Sequence, residues 1–263
     1  MYGAIIGDIV GSRFEFNNIK SKDFDLFTQK CEITDDTIMT LAVADAILKC
    51  NGDYTDLSNQ AIKSMRGIGK NYPFCGYGNR FFDWIYGATN GPYNSYGNGA
   101  AMRISACGWA AYSLEETKEI SRKVTEITHN HPEGIEGAEA VASVIYMVGQ
   151  HGQTKDDIRK YINDHYYNLE FTLDDVRQTY KFDESCQGTV PQAIECFLEA
   201  NSFEDAIRNA VSLGGDSDTL AAITGSMAGV YWNIPEWMKE KARGYLDDRL
   251  TDILDRFMAK YQE

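Results

Sequence analysis

The sequence predicts an all-α fold. Apolar residues recur at helical spacing, with Leu41, Ala44 and Leu48 along one stripe and Ile194, Phe197 and Leu198 along another. Hydroxyl and carboxylate residues stand in pairs at the spacing that caps a helix N-terminus. No Val, Ile and Thr run alternates with polar residues, and no Asn-Gly turn separates two credible strands, so an extended sheet is hard to place.

In chain order, Gly7-Asp8-Ile9-Val10-Gly11-Ser12-Arg13-Phe14-Glu15 comes first and adds another acidic residue after a glycine-punctuated N-terminal segment. Its glycines are equally explained by close helix packing alone. Thr34-Asp35-Asp36-Thr37 then opens the apolar run Ile38-Met39-Thr40-Leu41. Residues 71–98 are rich in Gly, Asn and aromatics and read as a long polar-aromatic loop. Such a loop inside a compact domain is more often a binding surface than a linker, although aromatics packed into the core would give the same composition. Ser95-Tyr96-Gly97-Asn98-Gly99-Ala100-Ala101-Met102-Arg103 is a small-residue turn running into a helix, an arrangement that offers backbone N–H groups to a phosphate. It lacks the lysine of a P-loop and follows no strand. Helix starts come next at Ser113 with Glu116, Thr154 with Asp157, Thr172 with Asp175 and Ser202 with Asp205. Gly214-Gly215 precedes Asp216-Ser217-Asp218-Thr219, which opens the apolar run Leu220-Ala221-Ala222-Ile223, and Pro235 fits a first helical turn. No linker, charge block or internal repeat divides the chain, so residues 1–263 read as a single compact domain.

The 263 residues carry 39 Asp or Glu against 25 Lys or Arg, a formal charge of −14, and are 43% hydrophobic. That is ample material for a core, and it excludes disordered, collagen-like and low-complexity classes. No stretch approaches the roughly 18 apolar residues that a membrane span needs. With no basic region ahead of the N-terminal apolar run, a cytoplasmic protein with no membrane partner is expected. The absence of a dense basic run argues against general nucleic-acid binding. The six cysteines form no C-x-x-C pair and no zinc-type spacing, and read as reduced and mostly buried.

The two acidic turns carry the chemistry. One Asp at a helix N-terminus is explained by capping and the helix dipole. Capping does not explain two carboxylates flanked by hydroxyls at both helices, nor the glycine pair that lets the backbone come close just before the second. If the turns face each other, Asp35, Asp36, Asp216 and Asp218 converge, and such a cluster does not stay ionised in a partly buried site without cations. Oxygen ligands with no Cys or His point to Mg²⁺, Mn²⁺ or Ca²⁺ rather than zinc. The spacing alone names no reaction.

Taken together, Gly7-Asp8 through Glu15, Thr34-Asp35-Asp36-Thr37, Ser95 through Arg103, Thr128-His129 and Gly214 through Thr219 resemble, in this order, the ADP-ribosylglycohydrolases, the group that includes the dinitrogenase-reductase-activating glycohydrolase. The resemblance runs from about residue 2 to Pro235. It implies an all-helical, orthogonally packed domain with two Mg²⁺ or Mn²⁺ ions at the bottom of a cleft. By motif match, Thr34, Asp35, Asp36, Asp216, Asp218 and Thr219 are the expected metal ligands. Glu15, Asp36 and Asp218 are the residues expected to carry catalysis. Ser95, Tyr96, Gly97, Asn98 and Gly99 resemble the loop that holds the diphosphate and distal ribose, and His129 stands where members contact ADP-ribose. His131 has no firm counterpart. The sequence departs from many members in having Ser217 in place of Thr and few insertions around the cleft. The implied activity is hydrolysis of the glycosidic bond between ADP-ribose and an acceptor. An ADP-ribosylated protein linked through arginine is favoured, and serine-linked, O-acetyl- and nucleic-acid-linked ADP-ribose remain open. A non-catalytic ADP-ribose-binding protein and a two-metal phosphohydrolase are the readings from other classes.

Overall fold

A computed structural model describes residues 1–261, and residues 262 and 263 of the expected domain lie outside the described residues. It contains fourteen α-helices and, among the described residues, no strand, only one isolated bridge between Gly97 and Ser185. The all-α expectation holds.

The N-terminal half holds α1 (Tyr2–Ser12), α2 (Asp35–Cys50), α3 (Leu57–Gly69), α4 (Asn79–Tyr86), α5 (Ser105–Ala110) and α6 (Leu114–Thr125). It is followed by α7 (Pro132–His151), α8 (Lys155–His165), α9 (Leu173–Val176) and α10 (Cys186–Leu198). The chain closes with α11 (Phe203–Leu213), α12 (Ser217–Tyr231), α13 (Glu236–Arg243) and α14 (Asp248–Tyr261). One hydrophobic cluster takes in residues from α1 through α14, so the buried apolar surface is continuous along the chain. Almost every residue of α2 from Asp36 to Ile47, and of α12 from Ser217 to Ala228, is buried. Helices buried on all sides stand at the centre, and the helices with a polar face pack around them.

Helix starts form largely where the sequence places them. Thr154 with Asp157 and Thr172 with Asp175 make complete capping boxes. Ser113 and Ser202 accept from the N–H of Glu116 and Asp205, but those carboxylates reach one residue further back, to the N–H of Tyr112 and Asn201. Pro235 stands one residue ahead of α13, where its carbonyl accepts from Met238.

The region 71–98 departs from the expected continuous loop, because α4 forms inside it. Phe81, Trp84 and Ile85 bury one face of α4, and Gly87 ends it in the left-handed conformation at φ 85°. The aromatics therefore divide: Phe81 and Trp84 belong to the core, while Phe74, Phe82, Tyr86 and Tyr96 are exposed. All six cysteines are free, four of them buried, and no described helix is long and apolar enough to cross a membrane.

Candidate active site

The glycines of α1 set the position of everything that follows. A Cβ on Gly3 would stand 2.0 Å from the Gly225 carbonyl oxygen, one on Gly7 2.0 Å from that of Ala221, and one on Gly11 2.5 Å from that of Ser217. Glycine at every fourth position gives α1 a bare stripe, and α12 lies antiparallel along it with backbones in contact. Close packing and delivery of an acid are thus the same feature, since this crossing carries the end of α1 to the start of α12. Gly214 and Gly215 have φ of +76° and +75°, a conformation that L side chains rarely adopt. Asn18 locks the turn by accepting from the Gly215 N–H at 2.7 Å, and its Nδ2 donates to the carbonyls of Phe14, Glu15 and Gly215.

Asp8 joins the second acidic turn to this frame. Its buried carboxylate accepts from the Thr34 and Thr37 N–H groups, each at 3.0 Å, and from the Thr34 hydroxyl at 2.7 Å. It caps α2 from another helix, while Thr34 caps the same terminus locally by accepting from the Asp36 N–H. Asp8 was not among the expected site residues. The signal was present in the sequence as the one carboxyl group in the largely apolar run from Tyr2 to Ser12.

The two acidic turns do face each other. The Thr219 hydroxyl donates to Asp36 Oδ2 at 3.1 Å, which ties the start of α12 to the start of α2. One carboxylate oxygen each from Glu15, Asp216 and Asp218 lie within 4.8 Å of one another. Asp35 is partly buried, gives its N–H to the Cys75 carbonyl, and borders Gly76. Asp36 Oδ1 and Asp218 Oδ1 are buried with no hydrogen-bond partner. Orphaned buried carboxylate oxygens are costly, and a cation is the group that would relieve them. Hard oxygen donors without Cys or His suit Mg²⁺, Mn²⁺ or Ca²⁺, so the residues present fit such ions.

The protonation of the cluster reflects the same crowding. Burial pushes Glu15 up to about 7, helped by the negative charges of Asp216, Asp8 and Glu184. Burial and the repulsion of Asp8 and Asp216 push Asp35 up to about 8, and burial brings Asp8 to about 6. Asp36, Asp216 and Asp218 are all raised, again first by burial. Without cations the cluster holds protons near neutral pH.

The cluster forms part of the lining of a cleft of about 310 Å³, and His129, Arg103, Tyr93, Phe81, Arg80, Ser95, Gly97, Asn98 and Gly99 line it as well. Asn98 bridges the cluster and the glycine loop, donating to Asp216 Oδ2 at 2.7 Å and to Thr189 at 3.2 Å. The loop runs into a short 3₁₀ turn, Asn98–Ala100, rather than directly into an α-helix. Two of its N–H groups are already used, Gly97 on Ser95 Oγ and Asn98 on the Glu184 carbonyl, so fewer donors are open than the sequence suggests. Tyr96 is half-exposed, with its ring edge-on to His131 at 5.2 Å. His129 is buried, with Nδ1 2.8 Å from the Thr128 hydroxyl and 3.3 Å from Arg103. Burial, then the charges of Arg103 and Arg80, keep it neutral. Arg103 is fully buried without a carboxylate partner at hydrogen-bond distance, and burial lowers it to about 10.

All the sequence-derived site residues except Tyr96 border the cleft. Arg80 and Tyr93 reach the cleft from the 71–98 region read as a binding surface, whereas Phe182 and Glu184 were missed, because their segment has no motif of its own.

The family model for ADP-ribosylglycohydrolases matches residues 1–263. The ADP-ribosylhydrolase ARH3 of Homo sapiens is 25% identical, covering 96% of this chain and 89% of its own. The ADP-ribosylarginine hydrolase Tri1 of Pseudomonas putida is 24% identical over 97% of this chain and 77% of its own. The ADP-ribosyl-[dinitrogen reductase] glycohydrolase of Rhodospirillum rubrum is 24% identical over 78% and 70%. A solved chain described as an ADP-ribosylglycohydrolase-related protein complex superposes with a TM-score of 0.67 at 22% identity, covering 97% of this chain and 95% of its own, and shares the fold.

Proposed function

The chain belongs to the ADP-ribosylglycohydrolase family, and on that premise we propose that it is a divalent-cation-dependent hydrolase that releases ADP-ribose from an arginine side chain. The observation that carries the reading is the pair of orphaned oxygens, Asp36 Oδ1 and Asp218 Oδ1, buried in the cleft beside Glu15. In this reading Thr34, Asp35, Asp36, Asp216, Asp218 and Thr219 hold two Mg²⁺ or Mn²⁺ ions within one domain spanning the chain. When bound, such ions lower the pKa of a water and fix the ribose hydroxyls.

The protein's own groups do the rest. The Ser95–Gly99 loop seats the diphosphate and distal ribose and His129 contacts the ADP-ribose, with His129 neutral so that one ring nitrogen donates into the cleft. Glu15 is half-buried between solvent and the acidic cluster, and takes a proton from the attacking water. The water oxygen bonds to the anomeric carbon as the bond to the acceptor nitrogen breaks through an oxocarbenium-like state. The electron pair leaves with the nitrogen, Glu15 passes the water's proton to that nitrogen, and ADP-ribose and the unmodified arginine side chain are the products. Arginine is favoured as the acceptor because Tri1, matched over nearly the whole of this chain, bears the name of an ADP-ribosylarginine hydrolase.

The test is incubation with arginine-, serine- and nucleic-acid-linked ADP-ribose, with and without EDTA, reading products by mass spectrometry. The reading expects intact ADP-ribose from the arginine substrate and its loss in EDTA. Cleavage products of the diphosphate would make the protein a phosphohydrolase. ADP-ribose binding without turnover of any linkage would make it a binding protein.

A further inference from the structure

Two phenyl rings stand in a groove beside the cleft, where exposed apolar surface is out of place. Phe16 is 81% exposed and Phe182 43% exposed, yet their rings stack 6.2 Å apart at 19°. They come from segments far apart in sequence, so their meeting is not an accident of one loop. Both segments are pinned. Asn18 fastens the turn that carries Glu15 and Phe16 to Gly215, and Lys20 donates to the carbonyls of Tyr180 and Leu213, holding the segment that leads to Phe182. Phe16 directly follows Glu15, and both rings line a groove with Glu15 and Asn18 that adjoins the cleft.

The direction of the substrate follows from the lining. Tyr93, Phe81 and His129 gather beside the glycine loop, with Tyr93 and Phe81 centred 5.9 and 6.5 Å from the His129 ring. The acidic cluster adjoins the loop through Asn98, and both phenyl rings share a groove with Glu15, Phe182 lining the cleft as well. With the diphosphate and distal ribose on the loop beside the carboxylates, the acceptor leaves past Glu15 into the groove that Glu15 shares with the phenyl pair. Glu184 lies close enough to add to the negative charge at Glu15. Exposed aromatic faces beside carboxylates suit a planar cation, which a phenyl face attracts and a carboxylate neutralises. A serine acceptor carries neither a plane nor a charge.

Resting on the reading of the site as an ADP-ribosyl hydrolase, we propose that Phe16 and Phe182 form the acceptor platform, stacking on the guanidinium of arginine-linked ADP-ribose and selecting it over serine-linked ADP-ribose. Both rings are on the surface, so Phe16→Ala, Phe182→Ala and Phe16→Leu are expected to fold. The measurement is kcat/KM of each variant on arginine-linked and serine-linked ADP-ribosyl peptides, beside calorimetry of free ADP-ribose, which has no acceptor. The expected result is a loss of about 2- to 30-fold on the arginine substrate for each variant, the usual worth of a cation–π contact. Serine-linked turnover and ADP-ribose affinity should hold. Equal losses on both linkages, an unchanged arginine rate, a parallel fall in ADP-ribose affinity, or full activity of Phe16→Leu would overturn the platform. Wild-type protein that cleaves serine-linked but not arginine-linked substrate would overturn it too and leave the hydrolase reading standing. Protein that cleaves neither would remove the hydrolase reading beneath it.

Discussion

Magnesium should stabilise this protein more at pH 7 than at pH 5, because the acidic cluster exchanges protons for cations. In the cation-free fold Asp8, Glu15 and Asp35 titrate at about 6, 7 and 8, against 3.8 to 4.5 for the same groups in an unfolded chain. A carboxyl with a raised folded pKa keeps a proton that the unfolded chain has lost. Its contribution is therefore intact below about pH 4 and is lost as pH rises through the folded value. Each net proton so held removes about 1.4 kcal/mol of cation-free stability per pH unit, or about 2.7 kcal/mol from pH 5 to 7. The groups repel one another and Glu15 is only half-buried, so one shared proton is the conservative count. For a chain of this size 1 kcal/mol shifts Tm by roughly 2–4 °C. The gap in Tm between saturating Mg²⁺ and EDTA should thus be about 5–10 °C wider at pH 7 than at pH 5. His129, held neutral by burial, pulls the other way as pH rises, but it does so in both conditions and cancels from the gap. Differential scanning calorimetry at both pH values measures the effect, and proton release on Mg²⁺ binding can be read by titration in two buffers. A gap that is constant, or larger at pH 5, would refute the view that these carboxylates form one cation site.

Three further outcomes are expected. Asp36→Ala or Asp218→Ala should lower hydrolysis by orders of magnitude while leaving helical content intact by circular dichroism and raising Tm in EDTA, since each removes an orphaned buried oxygen and a like charge. Near-normal rates in either would mean that the turns do not act together. Glu15→Gln should cost about 10²- to 10⁴-fold in single-turnover rate if Glu15 handles the water's proton, with ADP-ribose affinity by calorimetry nearly unchanged. A joint fall in Mg²⁺ and ADP-ribose affinity would make it a cation ligand instead. Gly7→Ala places a methyl 2.0 Å from the Ala221 carbonyl oxygen and should cost about 1–3 kcal/mol or more, read as a fall in Tm, together with a weaker Mg²⁺ response as α12 is pushed off α1.

Local chemistry made much of this protein legible in the sequence. Hydroxyl and carboxylate pairs mark helix starts because capping needs only residues three apart, and Thr154 and Thr172 cap as their sequence says. The acidic turns at Asp35-Asp36 and Asp216-Asp218 could be read as a cation site because repulsion among carboxylates demands a counter-charge wherever they meet. That they meet is a tertiary fact. It depends on the glycine stripe of α1 lying on α12, on Asp8 holding the start of α2, and on Thr219 reaching Asp36. Asp8 itself looked like one more acid, since its partners stand 26 and 29 residues away. The helix α4 was hidden because Gly and Asn flank it while its core contacts, through Phe81 and Trp84, are supplied by other elements. Phe182 and Glu184 carry no motif, and only the folded chain brings them to the cleft beside Arg80 and Tyr93 of the 71–98 region. Periodicity and capping act within a few residues and are written in the sequence, whereas a cleft is made by which distant surfaces pack together, and that is decided by the volume and shape of the whole core.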